Sequence, residues 1–142
     1  MTSRLNPYLN FKGNARQAME FYHSVFGGKL QISTFGDYHS PVGPDEVNNI
    51  MHSELDADNG IVFFGSDTPT HMQPGFQVGT NLSMSLTGAS TDEAELRGYF
   101  DKLSAGARVD MPLAKAPWGD TFGMLTDKFG IAWLVNITAP KP

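Results

Sequence analysis

The sequence predicts an α+β fold in which one strand–helix–strand–strand–strand unit is used twice. The helix-ending glycines Gly28 and Gly106 lie 78 positions apart, and at this offset the apolar faces of two predicted helices align. The hairpin glycines Gly60 and Gly130 lie 70 positions apart, so the first unit has eight extra residues, which fits a polar loop at 36–47. The 15 glycines and 9 prolines favour short elements joined by turns over long helices.

The length and composition fit one folded domain. The 142 residues are 40% hydrophobic and 18% charged, so the chain can bury a core and is not expected to be disordered. We therefore predict a single domain over 1–142, with module one at about 1–70 and module two at about 78–142.

The charge and residue types exclude several classes of function. A net charge of −5 without a basic patch argues against a nucleic-acid partner. The absence of cysteine excludes disulfides and thiolate chemistry, so a metal site would need His, Asp or Glu. No apolar run has the length of a signal peptide or a membrane span, so we expect a cytoplasmic protein with no membrane partner.

The first module begins with a predicted strand at 5–11, which alternates apolar and polar faces: Leu9 and Phe11 against Tyr8 and Asn10. Asn14 is the expected cap of a helix that ends at Gly27 and Gly28. Three more strands follow: 29–35, 49–55 and 61–64. The third strand of the module places His52 and Glu54 on the face opposite Met51 and Leu55.

The second module repeats this order. A strand at 81–86 places Asn81 and Ser83 on the face opposite Leu82, Met84 and Leu86. A helix is expected to begin at Ser90, Thr91 or Asp92 and to end at Gly106. A short strand at 108–112 follows, and Pro112 and Pro117 bracket a loop. The turn at 127–130 then leads into a buried strand at 131–135.

Short motifs occur in order along nearly the whole chain: Pro7-Tyr8-Leu9-Asn10-Phe11, Phe26-Gly27-Gly28, Ile50-Met51-His52, Trp118-Gly119-Asp120 and Asp127-Lys128-Phe129-Gly130. This series resembles the PhnB-like branch of the vicinal oxygen chelate superfamily, which includes glyoxalase I, extradiol dioxygenases and bleomycin-resistance proteins. The resemblance implies a cupped mixed β-sheet of two βαβββ modules with helices on its outer face, assembled as a homodimer. The modules would pair within one chain or exchange between two. Some members carry a demethylubiquinone methyltransferase label, but no glycine-rich loop for S-adenosylmethionine is visible between a strand and a helix.

The resemblance also locates the ligands of metal-dependent relatives, which are His, Gln or Glu at strand positions that face the cavity. The corresponding residues of this chain are not usual strong ligands: Asn6, Tyr8 or Asn10, Val62 or Phe64, Asn81, and Leu134 or Asn136. We therefore predict no metal ligands and no cofactor, with a divalent metal as the alternative.

His52 and Glu54 are the candidate catalytic pair, because a histidine beside a carboxylate can act as a general base or as two ligands. The competing interpretation, which we favour, is a structural histidine bonded within the sheet or a pair at the dimer seam. Apolar and polar side chains predicted to face the cavity form the candidate ligand-binding set: Tyr8, Asn10, Phe64, Asn81, Ser83, Trp118 and Phe122. Trp118 could instead close the end of the sheet.

These features predict a small-molecule-binding protein of the glyoxalase/bleomycin-resistance type, whose acidic charge would suit a cationic ligand. The alternative is an enzyme, namely a metal- or His-dependent lyase, isomerase or dioxygenase acting on a small oxygenated substrate. A third hypothesis is a dimeric scaffold whose cavity is filled by its own aromatic side chains.

Overall fold

A computed structural model of the chain describes residues 3–140. Its contacts divide into two units, the first ending at Gln77 and the second beginning at Val78. Each unit has the order strand, helix, strand, strand, strand and forms one four-stranded mixed sheet. The predicted α+β class and the repeated βαβββ arrangement are therefore confirmed. Neither helix in the described part of the chain is long and apolar enough to cross a membrane.

The N-terminal unit contains one helix and four strands: β1 (Tyr8–Phe11), α1 (Ala15–Phe26), β2 (Lys29–Thr34), β3 (Ile50–Asp56) and β4 (Val62–Asp67). The strand order in its sheet is β1-β4-β3-β2. β1 and β4 are parallel, and the other neighbouring pairs are antiparallel. The connections include 3-10 turns at Pro44–Glu46 and Thr70–Gly75.

The C-terminal unit has the same plan: β5 (Met84–Ala89), α2 (Glu93–Leu103), β6 (Arg108–Lys115), β7 (Thr121–Thr126) and β8 (Ala132–Thr138), with a 3-10 turn at Ser90–Asp92 before the helix. Its strand order is β5-β8-β7-β6, with β5 and β8 parallel. Each unit therefore pairs its first strand with its last. The helix of each unit connects the two edge strands of its sheet.

One face of the N-terminal sheet is buried under α1. Met19 and Tyr22 of α1 are fully buried, and the Tyr22 ring meets Phe63 of β4 edge to face at 5.5 Å. Met19 packs so closely over Gly65 that a Cβ at that glycine would lie 2.8 Å from its sulfur. Leu9 lies on this same face, opposite Gly65 in the register. The opposite face of the sheet is consequently the one that carries Tyr8.

The start of α1 is held by a residue that is distant in sequence, Asp67 of the neighbouring strand β4, which corrects the cap expected at Asn14. Asn14 makes no side-chain cap bond. Instead, Oδ1 of the buried Asp67 accepts from the backbone N–H groups of Gly13 and Ala15, at 2.8 and 2.9 Å. Its Oδ2 accepts from the Ile50 N–H at 2.9 Å. One carboxylate thus joins the end of β4 to the first turn of α1 and the start of β3.

Strand ends differ from the prediction where the neighbouring strand sets them. β5 begins at Met84 and not at Asn81. Met84 pairs with Trp133, and the partner strand β8 begins only one residue before Trp133, just after a turn, so β8 offers almost no partners to the residues before Met84. β6 continues to Lys115, through Pro112 and beyond the predicted end of the strand. β6 is an edge strand, and Pro112 falls within the register shift between Met111 and Ala114, which is where a sheet tolerates a residue without an N–H.

The predicted turn at 127–130 is confirmed and is organised by a buried carboxylate. Asp127 Oδ1 accepts from the N–H groups of Phe129 and Ile131, at 2.8 and 3.0 Å. Its Oδ2 accepts from the indole N–H of Trp133 at 2.8 Å. Gly130 takes the left-handed conformation that closes the turn, with φ of 88°. Trp133 is only 1% exposed, so the strand predicted to be buried at 131–135 does place its largest side chain in the core.

Candidate functional site

The face of the N-terminal sheet opposite α1 carries most of the predicted site residues of that unit. The register places Tyr8 opposite Phe64, Phe64 opposite Glu54, and Glu54 opposite Gln31, so these four side chains form a row across all four strands. Asn10 pairs with Ser66, and His52 pairs with Ser33, in the next positions along the strands. We refer to Tyr8, His52, Glu54 and Phe64 as the platform.

The platform contains three aromatic rings in mutual contact. The His52 ring centroid lies 5.8 Å from that of Tyr8 and 5.2 Å from that of Phe64, and Tyr8 and Phe64 are 6.1 Å apart. The rings are inclined to one another by 39° to 78° and form no parallel stack. Tyr8 remains 44% exposed, and His52 and Phe64 are half-buried. The platform therefore offers aromatic surface together with polar groups.

A hydrogen bond links two platform residues that are 44 positions apart in sequence. The Tyr8 hydroxyl lies 3.3 Å from His52 Nδ1, and it donates when that nitrogen is unprotonated. Sequence reasoning missed this contact. The sequence pattern indicated only that each residue lies on the face opposite the buried side of its strand. It could not show that the two are close, because Tyr8 in β1 and His52 in β3 are separated in the sheet by β4.

His52 and Glu54 share a face as predicted, but they do not form a bonded pair. Within residues 3–140 no hydrogen bond or ion pair joins them, and the hydrogen-bond partner of His52 is Tyr8. The reason is the strand repeat, since side chains two residues apart on one face are separated by nearly 7 Å. Tyr8, and not Glu54, is therefore the residue that orients the imidazole.

In the C-terminal unit, two predicted site residues come together and two do not. The rings of Trp118 and Phe122 meet at 5.6 Å, inclined by 63°. They line an open cleft of about 320 Å³ with six other residues: Met111, Pro112, Ala114, Lys115, Ala116 and Pro117. Asn81 and Ser83 are exposed, precede β5, and do not line this cleft. Sequence reasoning placed both in a strand, and the late start of β5 removes that placement.

The residues at the family's ligand positions do not fit the metal site of metal-dependent relatives. Across residues 3–140, no three His, Asp or Glu side chains gather closely enough to hold a metal ion. Tyr8 and Phe64 form part of the platform described above. Asn136 donates its side-chain N–H to Asp120 Oδ2 at 3.1 Å and so serves a structural role. The donor set is poor in the nitrogen and carboxylate ligands that such metals prefer.

Asp120 anchors the loop beside the C-terminal cleft to the end of β8. The Ala139 N–H donates to its Oδ1 at 2.9 Å, and Asn136 donates to its Oδ2. These hydrogen bonds, chiefly that from Ala139, hold the pKa of the Asp120 carboxyl below its ordinary value. Because the lowered pKa belongs to the folded state, the stabilisation is complete above the ordinary aspartate pKa near 4 and is lost as pH falls through the folded-state pKa.

We therefore expect Asp120→Asn to be destabilising at pH 7, with a difference from wild type that shrinks as the pH falls below about 4. Urea unfolding at a series of pH values measures this difference. Asp101→Asn, on the exposed face of α2, is the matched control and should show no such trend. A difference for Asp120→Asn that is equal at pH 7 and pH 3 would contradict the assignment.

Comparison with known proteins places the chain in a family. The family model described as 3-demethylubiquinone-9 3-methyltransferase matches residues 3–136. Protein PA1353 from Pseudomonas aeruginosa is 34% identical, with 98% of this chain and 100% of that chain covered and a TM-score of 0.77. The PhnB protein from Bacillus cereus is 27% identical over 96% of this chain and 100% of its own, with a TM-score of 0.74.

A more distant structure shows the fold alone. A glyoxalase/bleomycin resistance protein/dioxygenase family enzyme from Burkholderia phytofirmans is 15% identical, with 92% and 95% of the two chains covered and a TM-score of 0.55. The chain therefore belongs to the PhnB-like 3-demethylubiquinone-9 3-methyltransferase family, and its fold is that of the glyoxalase/bleomycin resistance/dioxygenase superfamily.

Proposed function

We propose that this protein binds a small organic molecule on the platform of its N-terminal sheet, and that it does so as a cytoplasmic homodimer. The observation that carries the proposal is the cluster of three rings joined by the Tyr8–His52 hydrogen bond. The cluster lies on the sheet face opposite α1, where Tyr8 keeps 44% of its surface exposed. Aromatic surface with a few fixed polar groups is typical of small-molecule sites.

The composition of the platform supports binding over a purely structural role. Burying a histidine and a carboxylate in a purely structural role costs free energy unless both are paired. His52 and Glu54 are not fully buried, and both keep part of their surface accessible. The buried polar residues of the same sheet behave differently. Ser53 and Asp67 are almost fully buried, and each is bonded to backbone groups. The polar residues of the platform, in contrast, keep surface that a ligand can reach.

The cleft of the C-terminal unit supports the same class of function independently. Its volume of about 320 Å³ lies at the lower end of the range for ligand pockets. Its walls are mainly apolar. The Trp118 and Phe122 rings are inclined by 63° to each other, so a flat group can lie against the face of one of them. Trp118 is 62% exposed, so its fluorescence should respond to any ligand that covers it.

The second candidate function is a His-dependent lyase or isomerase acting on a small oxygenated substrate. It is favoured by the Tyr8–His52 contact, because in the tautomer whose Nδ1–H donates to the Tyr8 hydroxyl oxygen the other ring nitrogen is unprotonated and can accept a proton. In that case Tyr8 is a positioning residue and His52 the base. Methyl transfer is not proposed, because the connections from β1 to α1 and from β5 to α2 contain one glycine, Gly13, and no glycine-rich loop.

Binding is tested by screening small aromatic acids, amines and alcohols while following the ¹H–¹⁵N signals of the His52 and Tyr8 backbone and of the His52 imidazole. A true ligand should shift these signals and raise the melting temperature. Tyr8→Ala should weaken its binding at least about tenfold, since an aromatic contact and a polar group are lost together. His71→Ala, in an exposed 3-10 turn of the same unit, is the control and should leave binding unchanged.

Two outcomes would contradict the proposal. The first is a screen in which no compound moves the platform signals. The second is a set of compounds that bind with affinity unchanged by Tyr8→Ala. A compound that is chemically converted would favour the enzyme instead, provided that His52→Gln lowers kcat by about a hundredfold or more, which is the size of a general-base contribution.

A further inference from the structure

We infer that the platform selects organic cations, and that a quaternary ammonium group is the part of the ligand it recognises. This inference rests on the proposed small-molecule binding at the platform and names its ligand class. It follows from the order of side chains in one row of the sheet, from the charge on Glu54, and from the absence of a competing cation beside that charge.

The row places a ring between another ring and a carboxylate. Phe64 is the cross-strand partner of Tyr8 on one side and of Glu54 on the other. Antiparallel partners such as Phe64 and Glu54 hold their Cβ atoms about 4.5–5.5 Å apart, and the Tyr8 ring lies 6.1 Å from the Phe64 ring, so a group resting on Phe64 reaches both neighbours. A cation in that position meets the negative face of the Phe64 ring and lies beside both the Tyr8 ring, 6.1 Å away between centroids, and the carboxylate of Glu54.

The carboxylate of Glu54 is not neutralised by the protein. The ion pairs within residues 3–140 are Arg97–Glu93 and Arg108–Asp110, and both belong to the C-terminal unit. Lys29 lies on the same sheet face, but the register places it opposite Asp56 and not opposite Glu54. Glu54 faces Gln31 and Phe64, which are uncharged. The net charge of −5 adds a general preference for positive ligands.

The same groups discriminate against a small, strongly hydrated metal ion. Such an ion requires several oxygen or nitrogen ligands to replace its water, and the platform supplies one carboxylate and one imidazole, fewer than the three side chains that a metal group needs. A trimethylammonium group is weakly hydrated and spreads its charge over methyl groups, so that ring faces are adequate partners. The chemistry of the row therefore fits a bulky organic cation better than a metal.

The experiment compares choline with 3,3-dimethylbutan-1-ol, in which carbon replaces the charged nitrogen at nearly the same size and shape. Titrations followed by the backbone signals of Tyr8, His52 and Phe64 give both dissociation constants. We expect choline to bind at least about fivefold more tightly than the alcohol. Glu54→Gln should remove most of this preference while leaving the affinity for the alcohol nearly unchanged.

Two further variants separate charge from local structure. Asp56→Asn removes a carboxylate from the same face of β3, two residues from Glu54, and should leave the preference intact. Phe64→Leu keeps an apolar side chain but removes the ring, and should weaken choline more than the alcohol. Retention of the spectrum of the free wild-type protein outside the platform shows that each variant is folded.

The outcomes distinguish this inference from the proposed function. Equal affinity for the two probes, or a preference that survives Glu54→Gln, overturns cation selection. Failure of both probes to move the platform signals, while a neutral or anionic compound moves them, also overturns it but leaves small-molecule binding in place. If no compound of any charge moves those signals, the proposed function and the inference both fail.

Discussion

Asp67→Ala should lower the free energy of unfolding by about 3–5 kcal/mol. The substitution removes the acceptor of three backbone N–H groups, those of Gly13, Ala15 and Ile50. Each unpaired buried donor costs about 1–3 kcal/mol, and Asp67 is only 4% exposed, so water can replace few of these bonds. Urea unfolding followed by circular dichroism at pH 7 measures the change.

Two variants of the same kind isolate the cause of that loss. Asp67→Asn keeps one acceptor oxygen but sets an amide N–H against a backbone N–H, and we expect it to cost about half as much as the alanine variant. Asp101→Ala, on the exposed side of α2, should change stability by less than about 0.5 kcal/mol. An Asp67→Ala protein that unfolds at the wild-type urea concentration would show that water or a neighbouring group replaces the carboxylate.

Gly28→Ala should lower the free energy of unfolding by at least about 3 kcal/mol. Gly28 has φ of 81°, a conformation that costs an L-residue about 1–2 kcal/mol. A Cβ at this position would also overlap the Asp56 carbonyl oxygen and the Ala57 Cα. Both obstacles are backbone atoms at the end of β3, so relief requires the strand or the end of α1 to shift.

Gly27→Ala provides a control one residue away. Gly27 also has a positive φ, at 73°, but nothing lies within 4 Å of its added Cβ. Its substitution should cost only the conformational term, about 1–3 kcal/mol at φ of 73° and ψ of −158°. Gly28→Ala should therefore cost more than Gly27→Ala, because only Gly28 adds a clash with the β3 backbone. Equal losses for Gly27→Ala and Gly28→Ala would mean that the β3 backbone moves away at little cost.

Asp67 and Gly28 lie at the edge or on the buried side of the N-terminal sheet, whereas the platform lies on the opposite side. Substitutions such as Tyr8→Ala and Glu54→Gln should consequently change binding with little change in stability. Asp67→Ala should do the reverse, as long as the protein remains folded under the conditions of the binding assay. This separation allows loss of a ligand to be distinguished from loss of the fold.

Local patterns in the sequence predicted the faces of the elements well. The alternation of Tyr8, Leu9, Asn10 and Phe11 reproduced the observed exposed and buried sides of β1, because period-two alternation is a direct consequence of the pleated strand. The same rule failed at Asn81 and Ser83. Their alternation with apolar residues continues past the point where β8 can provide hydrogen-bond partners, and pairing, not pattern, determines where a strand begins.

Long-range contacts were the part that local reasoning could not supply. Asn14 has the residue type and position of a helix cap but makes no side-chain cap bond. Asp67 instead accepts from the N–H of Ala15, 52 positions away in sequence. Similarly, Glu54 is the nearest titratable neighbour of His52 in sequence, whereas Tyr8 is its partner in space. In both cases the sheet topology decides the contact, and the parallel pairing of β1 with β4 had to be known first.

The two tryptophans give the protein an uneven set of optical reporters. Trp133, buried and bonded to Asp127, and Trp118, largely exposed beside the cleft, both belong to the C-terminal unit. Tryptophan emission therefore follows the melting of that unit alone, while far-ultraviolet circular dichroism follows the helices and strands of both. Coincident transitions by the two signals would mean that the units unfold as one cooperative body. Separate transitions in which tryptophan emission changes last would show that the unit carrying the platform can lose its structure while the C-terminal unit remains folded.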